Sequence, residues 1–468
     1  MRVYLCGLGG IGMCGVAGIL KNKGFEVFGS EEKEIYPPAS EILKFLEIPI
    51  LKPDPQNLNL IRPEALIIGN AIKRDHPEVL EAEKLGIPLY SFPSFLEKFL
   101  LKGKKVLVCA GTHGKTTTTA LLSWVVLNLG LDPSFLIGGV FKNKGLNFNS
   151  GEGEFFIIEG DEYPSAFFDS QPKFLHYSPF GIILTSLEYD HVDVYPNLEK
   201  LKEIFKNLIS LLPEEGILIY NAEDSNLKEL IKSVPKSFKK YSYGKGWEAD
   251  FRLINSQTFL DKEGFLNQIT VEVPSKEKIK FHFRMPGEYN ALNALAVLAL
   301  GYTLGWELEK IIQSFETFLG VRRRQEIVWK DEKLIVVDDF AHHPTALKVT
   351  LSSLIKSVNP DKIILFFELK TNSSKRKVFQ EEYLKNFKIA DIIFIKKPSG
   401  VENIPLEERI DLNSLKENLE RSGKIFFFSE DLERILTFLD GAKTLLVFMS
   451  SASLEKEIEE FLKIYQKK

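Results

Sequence analysis

The sequence has few sulfur-containing residues and no excess of charge of one sign. Its 468 residues include only three cysteines and four methionines, and 60 basic side chains are matched by 64 acidic ones. Cys6, Cys14 and Cys109 have no ligand-like spacing, so we interpret them as small core residues in a reducing compartment. The net charge of −4 gives no indication that the protein binds nucleic acid.

Long apolar runs are also missing. No stretch reaches the length of a membrane span, and the start MRVYLCGLGG lacks the apolar region of a signal peptide. We therefore expect a cytoplasmic protein without membrane insertion. What is present is a globular composition, with 44% hydrophobic and 26% charged residues. The length predicts about three domains.

The strongest motif is KKVLVCAGTHGKTTTTALLSWVV, residues 104–126. An apolar strand leads into a Gly-rich turn, residues 111–117, and then into an apolar-periodic helix. Glycines let backbone N–H groups converge on an anion, and a helix N-terminus favours negative charge. We expect Lys115 to reach the β- and γ-phosphates of a nucleotide and Thr116 to hold Mg²⁺. Because Cys109 stands where a strict P-loop has its first glycine, we interpret the segment as a shortened relative of that motif.

A second Gly-rich turn lies near the start of the chain. Gly7, Gly9 and Gly12 form the pattern G-x-G-x-x-G after a predicted strand. This spacing is typical of dinucleotide-binding turns, although an ordinary tight βα turn shares it. The dinucleotide fingerprint also needs an acid for a ribose hydroxyl, and Glu31 or Glu32 could serve.

Acidic residues follow two predicted strands in the middle of the chain. After FFIIEG come Glu159, Asp161 and Glu162. After GIILTS come Glu188, Asp190, His191 and Asp193. Ligands of open α/β sheets bind at the carboxyl ends of strands, where carboxylates can hold Mg²⁺. The sequence therefore predicts a metal site here, with Glu159 and His191 as its main candidates.

Three polar patterns follow further along the chain. In MPGEYNALNALA, Asn290 and Asn293 fall on one helix face, although Asn290 alone could be a plain N-cap. Residues 322–324 are consecutive arginines, for which a solvated charge run is the alternative interpretation. Carboxylates and paired histidines at residues 338–343 end an apolar strand before a helix that starts at Pro344, which is typical of a site.

Strand and helix signals alternate through most of the chain, which predicts an α/β fold. Residues 1–101 form one such unit, and KGKK at residues 102–105 is a plausible linker to the next, which runs to about residue 320. Residues 321–468 read as a third unit with an open, mostly parallel sheet. Residues 247–284 predict short strands in a β-rich excursion on one face of the middle unit.

Together these features suggest ATP-driven chemistry between domains. No Cys or Ser nucleophile with its base is evident. Phosphoryl transfer to a carboxylate, followed by amine attack on the acyl phosphate, needs only Mg²⁺, positive charge and positioning. Two other classes remain: a non-catalytic nucleotide-binding protein, and a dehydrogenase using the first Gly-rich turn. The dehydrogenase would lack any candidate hydride chemistry downstream.

The motifs together resemble the Mur ligase family over the whole chain. In the family's order they are GTHGKTTT, EGDEYPSAFFD, LEYDHVD, GEYNALNALA, GVRRRQE and DDFAHHPTA. Members of that family join UDP-linked muramic acid to amino acids or peptides with ATP. The resemblance implies a Rossmann-like UDP-binding domain at residues 1–101 and a central P-loop ATPase domain at residues 102–320 with a mostly parallel sheet. It also implies a Rossmann-like C-terminal domain at residues 321–468, which presents the amine.

The resemblance also implies roles for single residues. The catalytic residues would be Lys115, Glu159, His191, Arg324 and His342. The ATP site would comprise Gly111, Thr112, His113, Gly114, Lys115, Thr116, Thr117, Asn290, Asn293, Arg324 and Asp339. The Mg²⁺ ligands would be Thr116, Glu159 and His191. The substrate contacts would be Gly9, Gly10, Ile11, Ser30, Asn70, His113 and Lys370.

Two branches of the family match different segments. The start GLGGIGMCGVA resembles the branch that adds L-alanine to UDP-N-acetylmuramate. The segments GNAIKRDHPE, EGDEYPSAFFDSQPKFLHYSP, FAHHPTA and SSKRKVFQEEY resemble the branch that adds the tripeptide L-Ala-γ-D-Glu-meso-diaminopimelate in peptidoglycan recycling. We expect the tripeptide activity, with alanine ligation as the alternative.

Two departures from the tripeptide branch stand out. That branch usually has Pro-Arg where this chain has Leu369-Lys370, and Asn-Gly-Gly-Phe where this chain has residues 450–453, Ser-Ser-Ala-Ser. An Arg-to-Lys change removes the bidentate fork that grips a carboxylate. Some relatives carry a carbamylated lysine after the Asp-His loop, and Lys206 lies at a comparable place, although we expect it to be an ordinary surface lysine. The implied partners are UDP-N-acetylmuramate and a murein peptide or amino acid, without nucleic acid, and the implied assembly is a monomer or weak dimer.

Overall fold

The computed structural model describes residues 1–192, 194–234 and 237–467. It shows three α/β units that follow one another along the chain, each built on its own main sheet. None of the helices in these ranges is long and apolar enough to cross a membrane. The predicted fold class, three α/β domains with a mostly parallel central sheet, is confirmed.

The N-terminal unit is a parallel sheet of five strands in the order β3-β2-β1-β4-β5, with helices between the strands. Its strands are β1 (Arg2–Cys6), β2 (Glu26–Ser30), β3 (Ile50–Leu51), β4 (Ala65–Ile68) and β5 (Leu89–Ser91). Its helices are α1 (Ile11–Asn22), α2 (Ala39–Phe45), α3 (Pro55–Ile61), α4 (Pro77–Leu85) and α5 (Phe92–Phe99). The apolar β1 lies at the centre, so the first Gly-rich turn opens at the carboxyl edge of the sheet.

The central unit is built on a ten-stranded sheet in the order β17-β16-β15-β14-β13-β12-β6-β9-β7-β8, with β10 and β11 as a separate hairpin. Its first strands are β6 (Lys105–Ala110), β7 (Ser134–Phe141), β8 (Leu146–Asn149), β9 (Phe155–Gly160), β10 (Pro164–Ala166), β11 (Asp169–Pro172) and β12 (Pro179–Leu184). The remaining strands are β13 (Ile217–Asn221), β14 (Lys239–Gly244), β15 (Phe251–Asp261), β16 (Gly264–Glu272) and β17 (Lys278–Phe283). Its helices are α6 (Lys115–Asn128), α7 (Leu198–Ser210), α8 (Ser225–Lys232), α9 (Glu288–Thr303) and α10 (Leu308–Thr317).

The expectation of a β-rich excursion on one face of the central unit is wrong. Strands β15 to β17 lie in the plane of the main sheet and extend its edge. β15 pairs in parallel with β14 through Tyr243 and Phe251, and β16 and β17 then add antiparallel hairpins. The alternating burial of β16 explains this, because one face of the extension packs into the apolar core beneath α9 and α10.

The C-terminal unit is a six-stranded sheet in the order β18-β19-β23-β20-β21-β22, parallel except for β18. Its strands are β18 (Glu326–Lys330), β19 (Leu334–Asp339), β20 (Lys362–Glu368), β21 (Ile392–Lys396), β22 (Ile425–Phe428) and β23 (Thr444–Met449). Its helices are α11 (Pro344–Val358), α12 (Gln380–Phe387), α13 (Leu412–Arg421), α14 (Leu432–Leu436) and α15 (Glu455–Tyr465). Near-continuous apolar strands such as β23 are fully buried, as expected where helices cover both faces.

Ion pairs join the three units. Lys23 Nζ of the N-terminal unit lies 2.6 Å from Glu152 Oε1 of the central unit. Arg322, at the start of the C-terminal unit, reaches back to the N-terminal unit, with Nη1 2.8 Å from Glu41 Oε2. Gly9, after β1, and Phe340, after β19, line one cavity between the units, and Gly9 and Glu159, at the end of β9, line another.

Candidate active site

The turn between β6 and α6 requires glycine at two positions. Gly111 has φ +136°, and a Cβ there would lie 2.3 Å from Thr185 Oγ1. Gly114 has φ +83°, and its Cβ would lie 2.9 Å from Asn293 Oδ1. Both backbone conformation and space exclude larger side chains, so the motif has a steric cause that is visible in the structure.

The backbone N–H groups of this turn divide into two sets. Those of Thr112 and His113 donate to Ser186, to its carbonyl oxygen at 3.0 Å and to its Oγ at 2.9 Å. The first hydrogen bond within α6 comes from the N–H of Thr118. The N–H groups of residues 115–117 therefore have no partner within the helix and form the end that can receive an anion.

Lys115 is held by a buried carboxylate. Its Nζ lies 3.1 Å from both carboxylate oxygens of Glu162 and 2.6 Å from the Gly111 carbonyl oxygen. Burial alone would lower the pKa of Lys115, but the carboxylates of Glu162, Asp161 and Glu159 outweigh burial and raise it. The lysine is therefore charged and fixed at the mouth of the turn.

Thr116 lies at the meeting point of two units. Its Oγ1 donates to Glu159 Oε1 at 3.0 Å and accepts from Nη2 of Arg324 at 3.0 Å. The N–H of Gly138 donates to Glu159 Oε2 at 2.8 Å. The Thr116 hydroxyl and Glu159 carboxylate are adjacent hard oxygen donors, which fits Mg²⁺. Burial raises the pKa of Glu159 despite the nearby cations Lys115 and Arg324.

His191 is bonded to Glu162 rather than to Glu159. Its Nε2 lies 2.7 Å from Glu162 Oε1, and its ring contacts Tyr163 with centroids 4.2 Å apart and planes inclined by 59°. Burial would lower the pKa of His191, but Glu162 outweighs it and raises the pKa. The predicted metal ligands are thus divided between two carboxylates, because Thr116 is bonded to Glu159 and His191 is bonded to Glu162. Asp193 of the same loop lies outside the described residues.

The two asparagines lie inside a helix, not at its cap. The N-cap of α9 is Gly287, so the alternative that Asn290 is a plain N-cap is wrong. Asn290 Nδ2 donates to the Pro286 carbonyl oxygen at 2.8 Å and to Gln325 Oε1 at 3.0 Å, and Asn293 Nδ2 donates to Asn290 Oδ1 at 3.3 Å. Asn293 also faces the Gly-rich turn, so the pair connects that turn to the C-terminal unit.

Asp339 and His342 shape the edge of the C-terminal unit. The Asp339 carboxylate accepts from the N–H groups of Gln325 and Ala341, both at 2.8 Å. His342 Nδ1 lies 3.1 Å from the Phe340 carbonyl oxygen, and burial lowers the pKa of His342 to about 4. At neutral pH His342 is therefore uncharged, and its Nδ1–H donates to that carbonyl.

A cavity of about 1030 Å³ lies between the N-terminal and central units, and we call it the N-terminal cavity. On the N-terminal side it is lined by all five substrate contacts predicted there, Gly9, Gly10, Ile11, Ser30 and Asn70. On the central side it is lined by Gly138, Glu159, Asp161, Lys173 and Tyr177, among others. The other two predicted contacts lie elsewhere. His113 pairs with Glu188, with Nε2 3.3 Å from Oε2.

Neither acid considered for a ribose hydroxyl is shown in that role. Glu31 Oε2 accepts from the N–H of Gly9 at 2.9 Å, so its carboxylate closes onto the Gly-rich turn. Glu32 is exposed at the cavity wall. The three cysteines are buried and free, as predicted, although Cys6 also lies beside His76 and Glu78 in a cluster that its sequence spacing did not reveal.

A second cavity, the C-terminal cavity, has a volume of about 910 Å³ and is lined by residues from all three units. Gly138 borders both cavities, and Thr116 and Arg324 lie in the wall of the second. Its C-terminal wall holds the basic residues Lys370 and Lys396 and the acidic residues Glu368 and Glu457. The two cavities thus meet beside the turn that carries Lys115.

Sequence reasoning did not give Glu162 or Lys173 a role. Glu162 is 1% exposed and binds both Lys115 and His191, yet it was only one of three neighbouring acids. Lys173 is 7% exposed and paired with Asp161 at the N-terminal cavity. A lysine after a strand end carries no local signal of burial, so only the acidic cluster could have indicated either residue.

Three family models together match most of the chain. The Mur ligase family catalytic domain matches residues 2–103, the Mur ligase middle domain residues 109–301, and the Mur ligase glutamate ligase domain residues 323–452. These matches cover the three sheets that the structure shows.

Curated relatives fall into two groups at equal identity. UDP-N-acetylmuramate–L-alanyl-γ-D-glutamyl-meso-2,6-diaminoheptandioate ligase of Escherichia coli is 32% identical over 86% of this chain and 86% of its own length. UDP-N-acetylmuramate–L-alanine ligase of Geotalea daltonii is 32% identical over 90% of this chain and 88% of its own length.

Solved structures share the fold. The UDP-N-acetylmuramate–alanine ligase of Thermotoga maritima superposes with a TM-score of 0.81 at 24% identity, covering 100% of this chain and 99% of its own. Members of the matched family are ATP-dependent, ADP-forming ligases. From its sheets, its Gly-rich turn and these matches, we conclude that the chain belongs to the Mur ligase family.

Proposed function

We propose that this ligase joins the tripeptide L-Ala-γ-D-Glu-meso-diaminopimelate to UDP-N-acetylmuramate through an acyl phosphate, as a step of peptidoglycan recycling. In this proposal residues 1–101 bind the UDP-linked substrate, residues 102–320 bind ATP, and residues 321–468 present the amine. ATP and UDP-linked precursors are cytoplasmic metabolites, which supports a cytoplasmic protein. We propose a monomer or weak dimer as its assembly.

The nucleotide phosphates are proposed to bind the N–H groups of residues 115–117, with Lys115 reaching the terminal phosphates. The N–H groups without a partner in the helix and the charged lysine support the assignment of this turn to ATP. Arg324 would approach the same phosphates from the C-terminal unit. Asn290, Asn293 and Asp339 would hold the adenosine side, and Thr112, His113 and Thr117 would shape the turn. Mg²⁺ held by Thr116 and Glu159, with His191 nearby, would neutralise phosphate charge during transfer.

The reaction needs a carboxylate and an amine on opposite sides of the terminal phosphate. The N-terminal cavity would place the muramate carboxylate near Gly138 and Glu159, where it can attack the γ-phosphate. The C-terminal cavity would bring the peptide amine to the resulting acyl phosphate from the side of Arg324. Lys115 stabilises the charge that develops, and His342, neutral at pH 7, offers a proton-accepting nitrogen to the same region.

The C-terminal cavity is the observation that carries the choice of a tripeptide. Its volume of about 910 Å³ is in the range that holds drug-sized ligands rather than one small amino acid. A peptide with several carboxylates and a distal ammonium also needs both signs of charge in its site. Lys370 and Lys396 supply the positive charges, and Glu457 and Glu368 supply the negative ones.

Both departures from the tripeptide branch lie at this cavity and contact a shared acid. Lys370 Nζ lies 3.8 Å from Glu368 Oε1, and Ser450 Oγ donates to Glu368 Oε2 at 2.6 Å. Ser451, Ala452 and Ser453 line the same wall. The two changes are thus neighbours in space, and we propose that together they set how this chain grips the peptide.

Phosphate release from ATP tests the proposal, with UDP-N-acetylmuramate as acceptor and either the tripeptide or L-alanine as amine. We expect release with the tripeptide and little with L-alanine. Release with L-alanine alone would favour the alternative, de novo addition of alanine, which the 32% identical alanine ligase supports. Omitting UDP-N-acetylmuramate is the control for uncoupled ATP hydrolysis.

A further inference from the structure

Lys173 is the buried cation of the N-terminal cavity. Three lysines among the described residues line that cavity, and Lys33 and Lys73 are exposed whereas Lys173 is 7% exposed. A lysine is rarely buried to this degree without a charged partner or a ligand. The position of Lys173 therefore calls for a specific explanation.

Asp161 supplies part of that explanation. Its Oδ2 accepts from Lys173 Nζ, while its Oδ1 accepts from the N–H of Tyr163 at 3.0 Å. The backbone is pinned at the same place, because the Lys173 N–H donates to the Tyr163 carbonyl oxygen at 3.1 Å. Asp161 and Lys173 thus close the base of the β10–β11 hairpin, which fixes the ammonium group in place.

The ammonium group retains donors for a ligand. It carries three N–H groups, and Asp161 is its single hydrogen-bond acceptor within residues 1–192, 194–234 and 237–467. Nζ also lies over the aromatic rings of Phe92 and Tyr163, 5.9 and 5.8 Å from their centroids. These ring faces attract the cation but do not accept a conventional hydrogen bond. Two N–H groups are thus available to an oxygen atom in the cavity.

The place of Lys173 in the cavity indicates which anionic group of a ligand it would contact. At the opposite wall, the Gly9-Gly10 turn and the N-terminus of α1 are suited to a pyrophosphate. Lys173 lies on the central wall with Glu159 and Gly138, and its partner Asp161 is next in sequence to Glu162, which binds Lys115. An anionic group bound at this end would lie on the side of the proposed ATP site.

We propose that Lys173, positioned by Asp161, binds the carboxylate of the sugar-acid substrate and orients it for attack on the nucleotide. This deepens the proposed function and rests on it. Glu159 and Asp161 would otherwise repel a third carboxylate in the same cavity, and the ammonium group offsets that repulsion. Lys173 is then a substrate-binding residue, and Asp161 is a positioning residue.

Two nucleotide sugars separate this role from a general phosphate contact. UDP-N-acetylglucosamine has the same UDP and pyranose ring, but a free 3-hydroxyl replaces the lactyl ether, so the carboxylate is missing. Binding of both compounds is measured by calorimetry in the absence of ATP. For Lys173→Met we expect affinity for UDP-N-acetylmuramate to fall by about 10- to 100-fold, the range for one charged hydrogen bond, with no change for UDP-N-acetylglucosamine.

A double variant guards against a folding artefact. Lys173→Met alone leaves Asp161 without its cation, so Asp161→Asn with Lys173→Met provides an uncharged pair of similar shape. We expect the same selective loss in the double variant, with a raised KM for UDP-N-acetylmuramate and an unchanged KM for ATP. Lys84→Met, at an exposed lysine on α4 that does not line the cavity, is the control.

Other outcomes overturn the proposal. An equal loss for both nucleotide sugars would assign Lys173 to the phosphates or to the cavity wall, and unchanged affinity for both would remove it from the site. The proposed function fails separately, if wild-type enzyme releases no phosphate with UDP-N-acetylmuramate and either amine. Release by the wild type with normal selectivity in Lys173→Met would leave the function intact and reject only the role of Lys173.

Discussion

At the scale of single residues, Lys115 is bonded to a carboxylate at the place where we propose that the phosphates bind. In this structure its ammonium group is bonded to Glu162 and to the carbonyl oxygen of Gly111. Lys115 is the first residue of α6, where the N–H groups of residues 115–117 have no partner within the helix. A phosphate bound to those N–H groups would therefore compete with Glu162 for the ammonium group. Glu162 therefore keeps the lysine charged and near its target without a nucleotide.

Replacement of Lys115 by alanine tests this arrangement. We expect phosphate release to fall by a factor of about 1000, because a charge fixed in a water-poor site is lost. The measurement is the steady-state rate with ATP, UDP-N-acetylmuramate and the amine. Lys102→Ala, at an exposed lysine before β6, is the control and should keep the wild-type rate. A near-normal rate in Lys115→Ala would mean that the turn does not bind the phosphates.

At the scale of elements, the N-terminus of α11 combines two functions in one residue. His343 is the N-cap, and its Nδ1 accepts from the N–H of Thr345 at 3.4 Å. Its ring is 6% exposed and lies near that of His113, with centroids 5.1 Å apart and planes inclined by 41°. Burial, reinforced by His113, lowers the pKa of His343 to about 4. The helix is therefore capped by a histidine that stays neutral.

This cap makes stability depend on pH in a defined direction. Between pH 6.5 and 4 the unfolded chain binds a proton at His343 and the folded chain does not, so the free energy of unfolding falls as the pH falls. His343→Asn keeps a capping side chain and removes the titration. Between pH 7 and pH 5 we expect the free energy of unfolding of the variant to fall by about 2 kcal/mol less than that of the wild type.

Urea unfolding of the ligand-free protein at both pH values measures this difference. His282→Asn, at an exposed histidine on β17, is the matched control and should follow the wild-type pH dependence. Parallel pH profiles for wild type and His343→Asn would show that His343 is not buried in the neutral form.

At the scale of the whole molecule, the site is assembled from all three units. The N-terminal unit supplies the Gly9-Gly10 turn, the central unit supplies Lys115 and Thr116, and the C-terminal unit supplies Arg324. The guanidinium group of Arg324 rests on Phe340, 4.4 Å from the ring centroid, and reaches Thr116 across the boundary between units. In the proposed function, ligation therefore depends on a contact that neither unit makes alone.

Arg324→Met tests that dependence on assembly. We expect phosphate release to fall about 100-fold, because the transferred phosphoryl group loses a cation from the C-terminal side. Binding of UDP-N-acetylmuramate without ATP should be unchanged, since Arg324 does not line the N-terminal cavity. The measurements are phosphate release and calorimetry.

Arg421→Met is the matched control for Arg324→Met. It removes an exposed ion pair to Glu417 on α13, outside both cavities, and should cost little activity, because exposed pairs contribute about 1 kcal/mol or less. If Arg324→Met weakened UDP-N-acetylmuramate binding as strongly as turnover, its role would lie in the overall arrangement of units rather than at the phosphates.

The sequence by itself determined the elements and the Gly-rich turn of the central unit. Strand β9 has the bounds that the apolar run FFIIEG predicts, because a buried strand between two turns is a local pattern. The turn at residues 111–117 depends on Gly111 and Gly114, whose positive φ angles other residues rarely adopt. These features depend on interactions between residues close in the chain, which the sequence displays directly.

Only the tertiary structure decided which side chains meet. In the structure His191 is bonded to Glu162 and not to Glu159. Asn290 lies inside its helix, where its amide is bonded to Gln325, and Lys173 is paired with Asp161 at a cavity wall. The tertiary structure also placed β15 to β17 in the main sheet. Such pairings join distant parts of the chain, and they depend on burial and on competition among several charged partners, which no local pattern records.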